Sequence, residues 1–170
     1  MLGETAVGRG VFLRRDVRAG ARILEFRGTE IDFDATLRMG DLECYAFQIG
    51  KDLYLDLDPP GRFVNHSCEP NAVIRDGVYL VVLRDMSAGE EVRFDYSTCM
   101  SDGHWTMECC CGASSCRGRI GDFRWLPPAR KLELLNSDAV PAFIVAEEME
   151  SGRLGELEPV RAPVRRYRRG

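Results

Sequence analysis

The sequence predicts a mostly β domain that ends in a small cysteine-rich segment and short helices. Three observations carry that prediction. Short apolar segments with two-residue alternation recur between Gly, Pro, Asp and Asn turns. No long strand–helix–strand alternation of the kind that builds a parallel sheet is present. After residue 97 the strand signals thin out, and Cys, Gly and Ser take over. With 170 residues, 45% of them apolar, the chain fits one domain with enough side chains for a core.

Gly8-Arg9-Gly10-Val11-Phe12 comes first. Its two glycines allow a tight turn and leave room for a ligand beside the main chain, and a plain β-turn uses glycine in the same way. Ala19-Gly20 turns into Arg22-Ile23-Leu24-Glu25-Phe26, an alternating strand that Gly28 ends. Residues 34–44 read as a loop or short helix. Tyr45-Ala46-Phe47-Gln48-Ile49 and Leu53-Tyr54-Leu55-Asp56-Leu57 flank Gly50-Lys51-Asp52, which predicts a hairpin. Pro59-Pro60-Gly61 breaks it. Ala72-Val73-Ile74-Arg75 and Val78-Tyr79-Leu80-Val81-Val82-Leu83 flank Asp76-Gly77, the strongest short-range hairpin signal in the chain. Ser87-Ala88-Gly89 turns into a last strand, Glu91-Val92-Arg93-Phe94-Asp95-Tyr96, with a polar, aromatic end. Pro127-Pro128 opens a helix near residues 129–136. Residues 138–150 form a second helix around Pro141, and from Ser151 a flexible tail is expected. The expected organisation is therefore a domain over residues 1–99, a cysteine segment over 100–122, a helical appendage over 123–152 and an Arg-rich tail over 153–170.

Between the two hairpins lies Arg62-Phe63-Val64-Asn65-His66-Ser67-Cys68-Glu69-Pro70-Asn71. Asn65 and His66 are polar where a short buried turn is normally apolar, and Pro70 pushes Glu69 towards an extended conformation. By composition alone the stretch is a polar turn. The seven cysteines point to metal before disulfides in a chain read as intracellular. Cys109-x-Cys111-x4-Cys116 sets three thiols at close spacing, and Gly112 allows the turn between them. Zinc takes four soft ligands in a tetrahedron, so three local thiolates need a distant fourth. Cys110 offers a different triplet. Cys44 and Cys99 read as small buried hydrophobes.

Together, Arg62 to Asn71, Gly8 to Phe12, Phe94-Asp95-Tyr96 and the cysteine spacing resemble the SET-domain family of protein lysine methyltransferases, with its post-SET zinc segment. The resemblance covers about residues 6–121. It implies a β-clip-like SET fold in which the last strand threads beneath the Asn65-His66-Ser67-Cys68 segment in a knot-like arrangement. S-adenosylmethionine is then the cofactor, held by Arg9, Gly10, Phe12, Arg62, Phe63, Asn65, His66 and Tyr96. Tyr96 is implied as the catalytic tyrosine, with Phe94 and Tyr45 beside the transferring methyl. The family uses the equivalent of His66 neither as a base nor as a zinc ligand. The implied zinc ligands are Cys68, Cys109, Cys111 and Cys116, with Cys110 a bystander. Phenylalanine at Phe94, where other members have tyrosine, goes with di- or trimethylation. Either Trp105 or Phe123 is expected to cover the adenine.

The net charge of −4 hides an asymmetry. Residues 161–170 carry five arginines and no acid, which leaves 18 basic against 27 acidic residues, or −9, for residues 1–160. An acidic body suits a Lys-containing basic protein or peptide as substrate. The absence of a membrane-length apolar run or a signal-peptide pattern predicts an intracellular protein, cytoplasmic if bacterial and nuclear if eukaryotic. Lys51 and Lys131 are the only lysines, and the Arg bias hints at a bacterial source. Two other readings stay open at this stage: an inactive zinc module that binds basic proteins, and nucleic-acid anchoring through the Arg-rich tail.

Overall fold

A computed structural model of the chain describes residues 1–152, so the expected tail at 153–170 lies outside the described residues. In chain order the strands and helices begin with β1 (Leu2–Thr5), β2 (Gly8–Phe12), β3 (Arg22–Glu25), β4 (Gly28–Ile31) and α1 (Phe33–Arg38). The middle of the chain forms β5 (Ala46–Gly50), β6 (Leu53–Leu57), β7 (Asn65–His66), β8 (Ala72–Arg75), β9 (Tyr79–Val82) and β10 (Glu91–Phe94). It closes with β11 (Met107–Glu108), β12 (Arg119–Ile120), α2 (Pro128–Asn136) and α3 (Ala142–Glu150). The strands assemble into sheets of order β1-β2-β10-β7, β3-β9-β8, β4-β6-β5 and β11-β12. The mostly β class expected from the sequence is the class found.

Both predicted hairpins form. β5 pairs with β6. β8 pairs with β9 from Arg75↔Tyr79 to Ala72↔Val82. Asp76 and Gly77 take φ of 48° and 80°, the left-handed region that an Asp-Gly turn accommodates. Val78 falls in the loop rather than the strand, and its carbonyl accepts the Phe26 N–H at 2.8 Å.

The glycines at the start of the chain serve a strand, not only a turn. Gly8 needs its positive φ of 109° to leave the Ala6-Val7 turn. Gly10 sits inside β2 opposite Gly3. Gly28, expected to end a strand, instead begins β4. It must be glycine because a Cβ there would meet the Asp56 carbonyl oxygen of the paired strand at 2.1 Å.

β8 and β9 read as nearly continuous apolar runs because both faces of their sheet are covered. Ala72, Ile74, Leu80 and Val82 face a first core with Phe26, Phe47, Val92 and Phe94. Val73 and Val81 point the other way, into a second core with Phe123, Leu134, Val140 and Ile144. The C-terminal helices thus pack on the β3-β9-β8 sheet. Pro128 occupies the first turn of α2, and Pro141 caps α3.

Candidate active site

The site is built where the last strand returns beside the Asn65-His66 segment. β10 pairs with β7 in parallel, Arg93 with Asn65 and Phe94 with His66. The Ser67 N–H donates to the Phe94 carbonyl at 3.0 Å, and Asn71 N–H to the Arg93 carbonyl at 3.2 Å. Asp95 then ends the strand: its Oδ1 accepts the Ser97 N–H at 3.1 Å and caps a 3-10 turn over Tyr96–Thr98. Tyr96, expected at the end of a strand, therefore opens a turn instead. Its ring packs against Phe94, His66 and Trp105 at centroid distances of 4.9, 5.3 and 6.2 Å. Its hydroxyl donates to the Val64 carbonyl at 2.8 Å. Burial pushes that hydroxyl far above the usual tyrosine range, so it keeps its proton.

Two cavities meet at Tyr96. The narrow one, of about 40 Å³, is walled by Tyr45, Phe47, Phe94, Tyr96 and Trp105. The broad one, of about 460 Å³, is walled by Arg9, Phe63, Asn65, His66 and residues of the cysteine segment. Cys44, Tyr45, Arg62 and Tyr96 line both. Arg62 is fixed by its bonds to the Leu57 carbonyl and, at 3.0 Å, to Asp56. From there its guanidinium lies 4.8 Å over the Tyr45 ring. Arg9 stacks 4.1 Å over Phe63. The Asn65 amide donates to the Arg9 carbonyl at 3.1 Å and to Glu91 Oε1 at 2.8 Å.

Of the residues singled out from the sequence, Arg9, Tyr45, Arg62, Phe63, Asn65, His66, Phe94 and Tyr96 come together around these cavities. Gly10 and Phe12 line neither. Gly10 serves by what it lacks, since a Cβ would stand 2.7 Å from Glu91 Oε1 and 3.1 Å from the Asn65 amide nitrogen. Phe12 instead packs its ring beside Gly3. Trp105 belongs to the narrow cavity, and Phe123 is sealed in the second core, so neither reaches the broad cavity. Ile120 and Met107 supply its apolar wall from the cysteine segment. Sequence reasoning missed Glu91, the partner of Asn65, because nothing local marks a carboxylate 26 residues away as its acceptor.

The cysteine segment docks as a second layer. Cys68 Sγ lies 3.8 Å from Cys109 Sγ and within 4.8 Å of Cys111 Sγ. The Cys116 thiol lies 3.6 Å from the Cys109 carbonyl oxygen. His66 Nε2 stands 3.3 Å from Cys68 Sγ. The ligand atoms of His66, Cys68, Cys109 and Cys111 all lie within 4.8 Å of one another. Burial pushes the Cys109 thiol up. Burial acts on Cys111 as well, but the N–H groups of Cys68 and Ala113 and the adjacent thiols bring it down to about 6. Cys110 is exposed on the rim of the broad cavity.

Three contacts that no motif advertised hold this layer. Arg117 grips the buried Asp95 with two bonds of 2.8 and 2.6 Å. Glu69 accepts from Ser114 Oγ and the Ser115 N–H at 2.8 and 3.0 Å. Arg93 reaches the Cys111 carbonyl at 3.3 Å. Burial, against the pull of Asp95, lowers His66 to about 4, so its imidazole is neutral at physiological pH.

The SET domain family matches residues 8–97, more than half of the chain, and the chain belongs to that family. It is 30% identical over 168 residues to histone-lysine N-methyltransferase ASHH2 of Arabidopsis thaliana, covering 85% of this chain and 9% of that protein. It is 35% identical over 130 residues to a variant-silencing SET domain-containing protein of Plasmodium falciparum, covering 64% of this chain and 5% of that protein. With human histone-lysine N-methyltransferase 2B the identity is 33% over 126 residues, covering 65% and 5%. The chain thus spans less than a tenth of the length of these relatives. Among the described residues no helix is long and apolar enough to cross a membrane.

Proposed function

We propose that this protein is a protein lysine N-methyltransferase that uses S-adenosylmethionine and makes di- or trimethyllysine. One observation carries the reading: a narrow aromatic cavity and a broad one of mixed lining share Tyr96 in their walls. The broad cavity is large enough and polar enough for a nucleoside-sized cofactor. Arg9, Asn65, His66, Glu91 and Arg93 give its wall polar groups beside the apolar ones. Arg9, Arg62, Phe63, Asn65, His66 and Tyr96 are the residues that would hold it. When bound, S-adenosylmethionine supplies a methyl group on a positively charged sulfur, open to in-line displacement by an amine.

The chain's own task is to prepare and aim that amine. A lysine ammonium with a pKa near ~10.4 must lose its proton, which costs roughly 4 kcal/mol at neutral pH. The Phe47, Phe94, Tyr96 and Trp105 walls exclude water and disfavour the charged form. Burial keeps Tyr96 protonated, so it cannot take that proton. Its hydroxyl, already donating to Val64, presents lone pairs that hold the nitrogen and methyl in line. Phe94, packed on Phe26 and Phe47 at 5.7 and 6.4 Å, places no hydroxyl in the channel. A methylated nitrogen can therefore rotate there without displacing a hydrogen-bonded water.

The donor chemistry of the thiol cluster fits zinc held by Cys68, Cys109, Cys111 and Cys116. Such an ion supplies a fixed crosslink and no reaction step. A basic peptide is the favoured acceptor, in keeping with the acidic body of residues 1–160. Calorimetric titration with S-adenosylmethionine, followed by mass spectrometry of a basic peptide incubated with excess enzyme, tests the proposal. Binding without transfer to any basic protein would instead make the chain an inactive binding module.

A further inference from the structure

His66 makes a contact at each ring nitrogen, and together the two contacts determine where its proton sits. Nδ1 lies 3.1 Å from the backbone N–H of Tyr96, which can only donate. Nδ1 must therefore present a lone pair and carries no proton. The carboxylate of Asp95 stands off at 3.7 Å from Nδ1 and is engaged instead by Arg117 and the Ser97 N–H. A neutral imidazole with a bare Nδ1 holds its hydrogen on Nε2, and Nε2 faces Cys68 Sγ at 3.3 Å.

We infer that His66 is a positioning residue that joins the zinc centre to the catalytic tyrosine, its Nε2–H donating to the Cys68 thiolate while its Nδ1 fixes the Tyr96 amide. The inference rests on the zinc and Tyr96 assignments above. The same tautomer bears on which residues hold the metal. By proximity His66, Cys68, Cys109 and Cys111 form a tight set of four. For Nε2 to bind a metal, however, the proton would have to move to Nδ1, setting two N–H groups head to head against Tyr96. The fourth ligand is then Cys116, whose Sγ stands beside the cluster, 3.6 Å from the Cys109 carbonyl oxygen. An N–H···S bond to a metal thiolate draws charge off the sulfur and fixes its orientation, and the Arg117 N–H gives Cys68 Sγ a second such bond at 3.4 Å. The ring also packs edge-on against Tyr96 at 5.3 Å. Displacement of the zinc loop is thereby felt at the residue that aims the methyl transfer, without any residue of that loop entering the channel.

Two variants separate the two bonds. The polar atoms of asparagine occupy the Nδ1 position only, and those of glutamine reach the Nε2 position only. His66→Asn should release zinc to a chromogenic chelator about tenfold faster or more, with slow hydrogen exchange retained at the Tyr96 amide. His66→Gln should reverse the pattern, with zinc release near the wild-type rate and fast exchange at Tyr96. Nitrogen-15 spectra of the wild-type protein need no variant. With only two histidines in the chain, His66 should show a protonated Nε2 and a bare Nδ1, unchanged when zinc is bound. A zinc-bound Nε2, a protonated Nδ1, or equal effects of both variants on zinc release would overturn the inference. Wild-type protein that binds no zinc would overturn the metal assignment and this coupling with it. None of these readouts depends on methyl transfer, so failure of the methyltransferase reading would register separately.

Discussion

The Tyr96 hydroxyl spends its proton on the Val64 carbonyl at 2.8 Å and so meets the channel as an acceptor. Tyr96→Phe removes that acceptor while keeping the ring that packs on Phe94 and His66. We expect turnover to fall about 100-fold or more, with affinity for S-adenosylmethionine within a few-fold by calorimetry. Comparable loss of both would mean that Tyr96 builds the pocket and does not aim the transfer. Phe94 lies two residues earlier and is 4% exposed. Phe94→Tyr adds a hydroxyl, and with it a water to be displaced when a methylated nitrogen turns. The expected outcome is a shift of the product from di- or trimethyllysine to monomethyllysine, read by mass spectrometry. A wild-type protein that stops at one methyl under enzyme excess would refute the product assignment and leave the methyltransferase reading standing.

At the scale of elements, the cysteine segment is a thin layer whose own strands, β11 and β12, are two residues each. The Arg117–Asp95 ion pair and the hydrogen bonds of Glu69 dock it, and the proposed zinc would add a crosslink. Elemental analysis should find one zinc per chain in wild type and in Cys110→Ser, and a large loss in Cys116→Ser and Cys68→Ser. Arg117→Ala should cost about 3 kcal/mol, because it strips the bidentate partner from an Asp95 side chain that is 1% exposed. Chemical denaturation of the zinc-loaded protein measures it. Segments with strong local chemistry were legible in the sequence: the Asp76-Gly77 hairpin, the proline-capped helices and the cysteine spacing. β4, β7 and β12 were not, because each is made by its partner. Gly28 looks like a breaker until the Asp56 carbonyl of β6 needs its space, and Asn65-His66 becomes a strand only when β10 arrives beside it. Arg117 and Glu91 were invisible for the same reason, since their value lies in carboxylate and amide partners 22 and 26 residues distant.

Across the whole molecule, a seam of buried and half-buried polar groups joins the β sheets to the C-terminal helices. The Ser101 N–H donates to Gln48 at 2.7 Å, and its hydroxyl bonds Glu147 of α3. Asp102 accepts from Tyr54 and from the His104 and Trp105 amides, which fixes the loop that carries Trp105 to the channel. Lys131 of α2 pairs with Glu148 of α3 at 3.1 Å, both buried. Asp122 lies in the same seam at 1% exposure, accepting from the Gly103 N–H at 2.7 Å and pairing with Arg124 at 3.0 Å. Burial, reinforced by the charge of Asp102, raises Asp122 to about 6 from an ordinary value of 3.8. Between those two values the folded chain holds a proton that the unfolded chain has given up, so the contribution of Asp122 to stability falls as pH rises from 4 to 6 and is level above. The swing is at most about 3 kcal/mol, two units at roughly 1.4 each. Asp122→Asn cannot ionise and should not share it. Comparing the two proteins by denaturant unfolding cancels the contribution of every other titrating group, which both share. The stability of wild type relative to Asp122→Asn should therefore decline across pH 4 to 6 and stay flat from 7 to 8. A difference that is constant across the whole range would show that Asp122 is ionised throughout and that Arg124 and the Gly103 amide outweigh its burial.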